Sequence, residues 1–419
     1  MKINLFSFFL VFSISLGFSQ QSKSDFYSSL VGKDSLVDYV LRNRDKFHLQ
    51  FIVTDIERDE DGNEVFKSFD FSTNEYFYPA SMVKLPTAIA TMEMLDSMQI
   101  QKECFVKMNK DVSCGSNVFA DLTQKQNISI GKALEDMLSI SDNYYYSMFF
   151  HMITPLKLND FLLNHQITNS MIYSSFSGCP RGKDVETNSF SLIDAEGKTL
   201  FSQEKTLLDS SKYMYRLPYM DSKLVGKYQL ENGKKMEKPY DFNYHLDYPL
   251  KDIHSTVFRL VFPQHFNSSE RFDLSSSSRK FLLKCMANYP REMQNKSYHN
   301  IKQYPDNYYK YAIIGNNNEL ASSGRYRTFS KIGIAYGFVT ESAYVVDFVN
   351  RKDFLFSVSL YVNADETIND GTYEYEKIAR PFIANFTRII QEQLSKPMEN
   401  SSLYSFEYFK MIQEIMQAN

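Results

Sequence analysis

Alternating apolar runs stand near both ends of this chain, and helical periodicity fills the space between them; that arrangement limits how any sheet can be built. Near the N-terminus, residues 48–56 and 65–71 alternate in period two around Asp61-Gly62, a turn pair, and read as a hairpin. Near the C-terminus, residues 331–340, 343–349 and 354–362 read as three antiparallel strands joined by short polar turns. A helix at 35–47 precedes the hairpin, and another at 378–394, with Phe382, Phe386, Ile389 and Ile390 on one face, should pack on the sheet. Between them the helical pattern dominates from about 101 to 168 and returns at 249–262 and 275–288, while 187–272 is harder to read. The expected fold is therefore α+β: one five-stranded antiparallel sheet flanked by N- and C-terminal helices, with a helical lobe at about 100–290 inserted between the two strand groups. A single domain would span 21–395, followed by a helical extension at 396–419.

Residues 1–20 read as a secretory signal peptide, with Lys2 at the start, an apolar run over 5–18, and the small residues Gly17 and Ser19 before Gln20-Gln21. The run holds no cysteine for lipid attachment, so the mature protein is expected to be exported, periplasmic or extracellular, without a stable membrane anchor; an uncleaved anchor is the alternative. In an oxidising compartment Cys104 and Cys114 could close a short loop, and the reading leans to that bridge over buried thiols. The seven histidines show no HExxH or other tight metal spacing, which leaves a zinc hydrolase without support. A formal net charge of −4 and the lack of a strongly basic stretch argue against nucleic acid as a partner.

Just after the hairpin comes Tyr78-Pro79-Ala80-Ser81-Met82-Val83-Lys84-Leu85-Pro86. Met82, Leu85, Ile89 and Met92 recur at helical spacing, so a mostly buried helix should begin near Ala80. Ser81 and Lys84 then stand one turn apart at its N-terminus, a hydroxyl nucleophile beside an amine able to serve as its base. Partly free peptide N–H groups and the helix dipole suit a serine that passes through an oxyanion. Alone, the same pattern describes a helix N-cap with a solvated lysine behind it. Further on, a helix marked by Ile130, Leu134, Met137 and Leu138 runs into Ser141-Asp142-Asn143, by itself an ordinary capping cluster. Ser330-Lys331-Ile332-Gly333 then opens a late strand, where the glycine would let a ligand approach and the lysine offers charge to a carboxylate. A strand-edge lysine beside a bulge glycine is the plainer alternative.

In this order the three pieces resemble the S-x-x-K, S-D-N and K-T-G set of the serine β-lactamase and penicillin-binding-protein superfamily: Ser81-Met82-Val83-Lys84, Ser141-Asp142-Asn143 and Lys331-Ile332-Gly333. Within it the chain is similar to class A β-lactamases, and the stretch from Lys331 to Asp347 looks like a Bacteroidetes-type group of class A-like serine hydrolases. The resemblance spans residues 35–394 and implies a β-lactamase/D,D-peptidase-like fold. It also implies roles. Ser81 Oγ attacks a carbonyl, Lys84, kept neutral by burial and by Lys331, takes the proton, and Ser141 relays it to the leaving nitrogen. Asn143 binds the substrate's side-chain amide and helps hold Lys84. Lys331 anchors a carboxylate beside Gly333, and the N–H groups of Ser81 and Ile334 form the oxyanion hole. No cofactor or metal is implied, and the partner is a small β-lactam or peptidoglycan-like acyl substrate taken by a monomer.

Three departures bear on different steps. The chain between Asn143 and Lys331 is longer than in compact class A enzymes, which remodels a wall of the site. Ile332 stands where a hydroxyl would bond the substrate carboxylate. The E-x-x-L-N pattern of a deacylating glutamate is missing, and the nearest candidate, Glu186 in Glu186-Thr187-Asn188, has the wrong spacing. The expectation is a secreted serine hydrolase of β-lactamase type, acylated on Ser81 and hydrolysing the acyl-enzyme. The alternatives are a D,D-peptidase or esterase slow to deacylate, and a non-catalytic binding protein of the same fold.

Overall fold

The computed structural model describes residues 20–59, 61–109, 128–176, 186–207, 223–243, 245–394 and 412–414. Helix α1 (Gln20–Leu30) buries Phe26 and Leu30. Helix α2 (Ser35–Arg42) starts where the Asp34 carboxylate accepts Leu36 N and Val37 N at 2.9 Å, satisfying two of the free donors of its first turn. It ends earlier than its periodicity predicts because Asn43 leaves the helical region (φ −114°) and donates its side-chain amide back to the Tyr39 carbonyl.

Strands β1 (Gln50–Arg58) and β2 (Glu64–Asp70) form the expected hairpin. Its turn is held by the Asp59 carboxylate, which accepts Asp61 N at 3.0 Å and Asn63 N at 2.8 Å, while Gly62 supplies a φ of 83°. From the other end of the chain come β3 (Tyr326–Ala335), β4 (Phe338–Asp347) and β5 (Lys352–Tyr361). The five strands build one antiparallel sheet in the order β3-β4-β5-β1-β2, so the two chain ends share it.

The late strands are shifted from their expected bounds. The first turn falls at Tyr336-Gly337, both at positive φ (54° and 86°), as a two-residue hairpin whose twist suits the strands it joins. Glu341 and Ser342, expected as that turn, sit in mid-strand and are buried. Their polar atoms are met internally: Glu341 accepts Ala312 N at 2.8 Å, and Ser342 Oγ shares a 2.8 Å bond with Ser357 Oγ.

Alternation along the strands feeds two cores. Ile52, Ile56, Phe329, Tyr344 and Leu355 join α3 (Lys84–Met98), α4 (Ile130–Ser139), α5 (Asn143–Ile153), α6 (Pro155–Asn164), α7 (Leu250–Val261) and α8 (Ser276–Ala287) on one side. Phe51, Val53, Ile332, Val345, Phe356 and Val358 join α1, α2 and α9 (Arg380–Gln393) on the other. With the sheet covered on both faces, β5 is buried along nearly its whole length. On the α7 side a polar seam crosses the sheet: Ser342, Ser357, His254, Thr54 and Ser68 are linked in that order at 2.8, 2.8, 2.9 and 2.7 Å.

Cys104 is buried and free among the described residues, and Cys114, its partner in the expected bridge, lies outside them. Burial pushes the Cys104 thiol up to about 11, as suits a core side chain. The signal segment and most of the C-terminal extension also lie outside the described residues. Among those described, no helix is long and apolar enough to cross a membrane.

Candidate active site

The chain enters α3 through one 3-10 turn, Ala80–Val83, with Ala80 at φ 46°. The α-helix itself starts at Lys84, four residues later than expected, and the tighter turn matters: in 3-10 geometry side chains at i and i+3 eclipse, which aligns Ser81 with Lys84. Ser81 is half-buried, while Lys84 is fully buried because the first turns of α3, from Lys84 to Met92, are buried on all sides.

α4 delivers the chain to Ser141, which adopts φ 63°. Asp142 then caps α5, its carboxylate accepting Tyr144 N at 2.8 Å and Tyr145 N at 3.0 Å, so this acid is committed to the backbone. The two flanking residues converge on Lys84. Its Nζ lies 2.6 Å from Asn143 Oδ1, 2.6 Å from the Ser141 carbonyl oxygen and 3.1 Å from Ser141 Oγ. The same nitrogen stands 5.3 Å over the Phe176 ring.

Lys331 reaches this group from β3, its Nζ donating to Ser141 Oγ and to the Ile332 carbonyl, each at 2.9 Å. Burial, then the charge of Lys331, holds Lys84 well below the ordinary lysine range, with Asp142 opposing. Lys331 itself is pushed down to about 7 by burial and then by Lys310, against the pull of Glu341. With Lys84 neutral, its lone pair can receive a proton that the Ser141 hydroxyl can pass on, and Lys331 donates to the same oxygen, carrying its positive charge below about pH 7.

β3 is an edge strand, and Gly333 lies against the serine turn. A Cβ at this position would overlap the Pro79 carbonyl oxygen and lie 3.0 Å from Ser81 N. The close approach that Gly333 permits is thus by the 79–82 backbone rather than by a ligand, and the unbroken pairing of Gly333 with Thr340 rules out a bulge there. It also brings the backbone of Gly333 beside Ser81, with half-buried Ile334 next along the strand.

Ile332 does not face this group. Its side chain alternates away from Lys331 and is buried in the second core, so neither it nor a hydroxyl in its place points at a ligand held by Lys331. Glu186 opens the two-residue strand Glu186–Thr187, paired with Thr206–Leu207, and its side chain lies outside the described residues. The structure therefore brings together Ser81, Lys84, Ser141, Asn143, Lys331, Gly333 and Ile334. Sequence reasoning missed Phe176 and Lys310. The first precedes no recognisable motif, and the second is a buried lysine bonded to the carbonyls of Met286 and Thr328.

Residues 34–207 match the family model described as the beta-lactamase enzyme family. The match takes in Ser81, Lys84 and Ser141 to Asn143. No curated protein matches the chain. Among solved structures, a β-lactamase from Sphaerobacter thermophilus aligns at a TM-score of 0.48 and 13% identity, over 89% of this chain and 99% of that one. A class A β-lactamase from Clostridium kluyveri aligns at 0.45 and 14%, over 89% and 98%, and a β-lactamase from Burkholderia ambifaria at 0.45 and 12%, over 85% and 97%.

Proposed function

We propose, from the premise that residues 34–207 carry the β-lactamase enzyme family pattern, that this β-lactamase-like chain is a serine hydrolase acylated on Ser81 by β-lactams or related amides and esters. Water then hydrolyses the acyl-enzyme. Ser81 is the nucleophile, Lys84 the general base and Ser141 the proton relay to the leaving nitrogen. Asn143 and Lys331 hold the substrate amide and carboxylate, and N–H groups of Ser81 and Ile334 meet the developing oxyanion, a contribution of roughly 3–4 kcal/mol to the barrier when one such donor is lost. One observation carries the reading: Lys84 and Lys331, two buried amines, both approach Ser141 Oγ, at 3.1 and 2.9 Å, beside a serine one 3-10 turn from Lys84.

The test is intact-protein mass spectrometry after exposure to a penicillin. An adduct on the wild type that is absent from Ser81→Ala is expected, and equal labelling of both proteins would exclude Ser81 as nucleophile. In the same reading the protein is exported, its first 20 residues serving as the leader, which N-terminal sequencing of the mature protein checks.

A further inference from the structure

Lys310 is buried like Lys84 and Lys331, yet nothing in the proposed chemistry uses it. Its Nζ donates to the Met286 carbonyl, in the last turn of α8, and to the Thr328 carbonyl on β3 at 3.3 Å. Among the described residues no carboxylate bonds this amine. It stands on the side of the sheet that Lys331 faces. α8 packs against β3, Met286 and Phe329 both belong to the first core, and Lys331 alternates onto the same side as Phe329. Thr328 precedes Lys331 by three residues on that strand, roughly 10 Å of chain.

The compensating carboxylate, Glu341, lies on the other side. It pairs with Ile332, so both side chains point to the second core, and it accepts Tyr311 N at 3.1 Å and Ala312 N at 2.8 Å. These bonds fix the chain just after Lys310. Ile313 follows at φ 65°, rare for a β-branched residue, with its N–H on Thr387 Oγ1 and its carbonyl accepting from Arg388 Nη1, each at 2.7 Å. Asn307 Nδ2 closes the segment on the Ile314 and Gly315 carbonyls at 3.2 and 3.1 Å. Lys310 is thus set in place by its own segment as well as by the two carbonyls it bonds. Joining α8 to β3 through those carbonyls needs a donor but no charge. A buried ammonium on the same side as a second one does more, because each disfavours the charge of the other. At Lys331 the push of Lys310 comes second to burial and exceeds the pull of Glu341 across the sheet. Burial holds Lys310 itself down at about 7, with Glu341 opposing, Arg327 adding and Glu292 opposing. Lys84, on α3, is the remaining cation that feels Lys331.

We propose that Lys310 is a positioning residue for the substrate carboxylate: its ammonium, acting through Lys331, makes the grip of the site on anionic substrates loosen as pH rises through neutrality. This rests on the carboxylate role proposed above for Lys331. The test follows, against pH, the ratio of second-order acylation rates for benzylpenicillin and for a neutral activated ester. The ester shares the Ser81 and Lys84 chemistry but does not use Lys331 as an anchor, so the ratio isolates the carboxylate. In wild type it should fall at least about tenfold with rising pH, with a midpoint at about 7. Lys310→Gln keeps a donor for the carbonyls without the charge, and Lys310→Met fills the space with neither. In both, the midpoint should move up by about 1 pH unit. Lys310→Arg keeps the charge and should leave the midpoint at that of wild type or below. A midpoint within about 0.3 pH unit of wild type in either uncharged variant overturns the proposal and leaves Lys310 as a link between α8 and β3. A Lys310→Arg midpoint above that of wild type overturns it equally, and does so even where the uncharged variants fail to fold. A wild-type ratio that is flat with pH overturns the carboxylate role of Lys331 and the proposal together, with Ser81 acylation left standing. Absence of any Ser81-dependent adduct from wild type overturns the acylation reading itself, and this proposal with it.

Discussion

Lys84 and Lys331 share one hydrogen-bond partner, the Ser141 hydroxyl, at 3.1 and 2.9 Å. Two ammonium groups converging on one oxygen repel, and the charge of Lys331 is the second cause, after burial, of the depressed pKa of Lys84. Removing that charge lets Lys84 hold its proton to higher pH, and a protonated amine is no base. Lys331→Met should therefore move the acid limb of the acylation rate upward in pH. A neutral activated ester is the right substrate, since it does not use Lys331 as an anchor. An acid limb that stays put or moves down would count against Lys84 as the base.

Gly333→Ala should be among the most damaging single-methyl additions in the sheet. The added Cβ meets the Pro79 carbonyl, which is backbone and cannot swing aside, so β3 must pull away from the serine turn. The expected loss is about 1–3 kcal/mol of unfolding free energy, accompanied by slower Ser81 acylation because the peptide edges of Ser81 and Ile334 separate. Chemical denaturation with parallel adduct kinetics checks both. A variant as stable and as fast as wild type would show that the close approach is not required.

Ile332→Thr is expected to weaken the fold without helping the site. Ile332 is buried in the second core, so a threonine hydroxyl would lie in apolar surroundings at a cost of about 1–3 kcal/mol. KM for carboxylate-bearing β-lactams should not improve. A clear fall in KM for those substrates alone would show that the side chain at 332 reaches the ligand after all.

Deacylation, not acylation, should limit turnover of ordinary penicillins. The groups needed for acylation stand together, but hydrolysis needs a second base for water, a contribution of typically 10²–10⁴-fold. Asp142 is the carboxylate whose charge is felt at Lys84, and its Oδ1 is already occupied by Tyr144 N and Tyr145 N. Wild type should thus show a stoichiometric burst followed by a slow phase, and Glu186→Gln should change the slow phase little. Brisk steady hydrolysis without a burst would overturn this, and trapping by Glu186→Gln would name Glu186 as the base.

The sheet was legible because its strands alternate and lie at the two chain ends, where nothing else competes for them. Its turns were less so. Tyr336 carries no turn signature, and Glu341 with Ser342 looks like a turn until the hydrogen bonds from Ala312 N and to Ser357 are known. α1 escaped notice because, among its described side chains, only Phe26 and Leu30 are buried, amid many polar ones. The candidate site followed local rules, a serine with a lysine three residues on and a polar cap at the end of an amphipathic helix. Phe176 and Lys310 are brought in by long-range packing and leave no local mark. Ile332 misled for the same reason, since its neighbour's role says nothing about which face of the strand it occupies.

His254 supplies a pH test of the fold itself. It is buried between Thr54 Oγ1 at 2.9 Å and Ser357 Oγ at 2.8 Å, and burial holds it down at about 4, with Asp70 opposing. An unfolded histidine titrates near 6.5. Between those values the unfolded chain takes up a proton that the folded chain refuses, so this contribution is fully present above about pH 6.5 and is lost as pH falls toward 4. The difference in pKa corresponds to about 3 kcal/mol. His254→Gln keeps a polar side chain in the seam but cannot titrate. The unfolding free energy of wild type minus that of His254→Gln should therefore shrink by about 3 kcal/mol between roughly pH 7 and pH 4, as measured by denaturant titration at each pH. A difference that stays flat with pH would mean that His254 is not held neutral between β1 and β5.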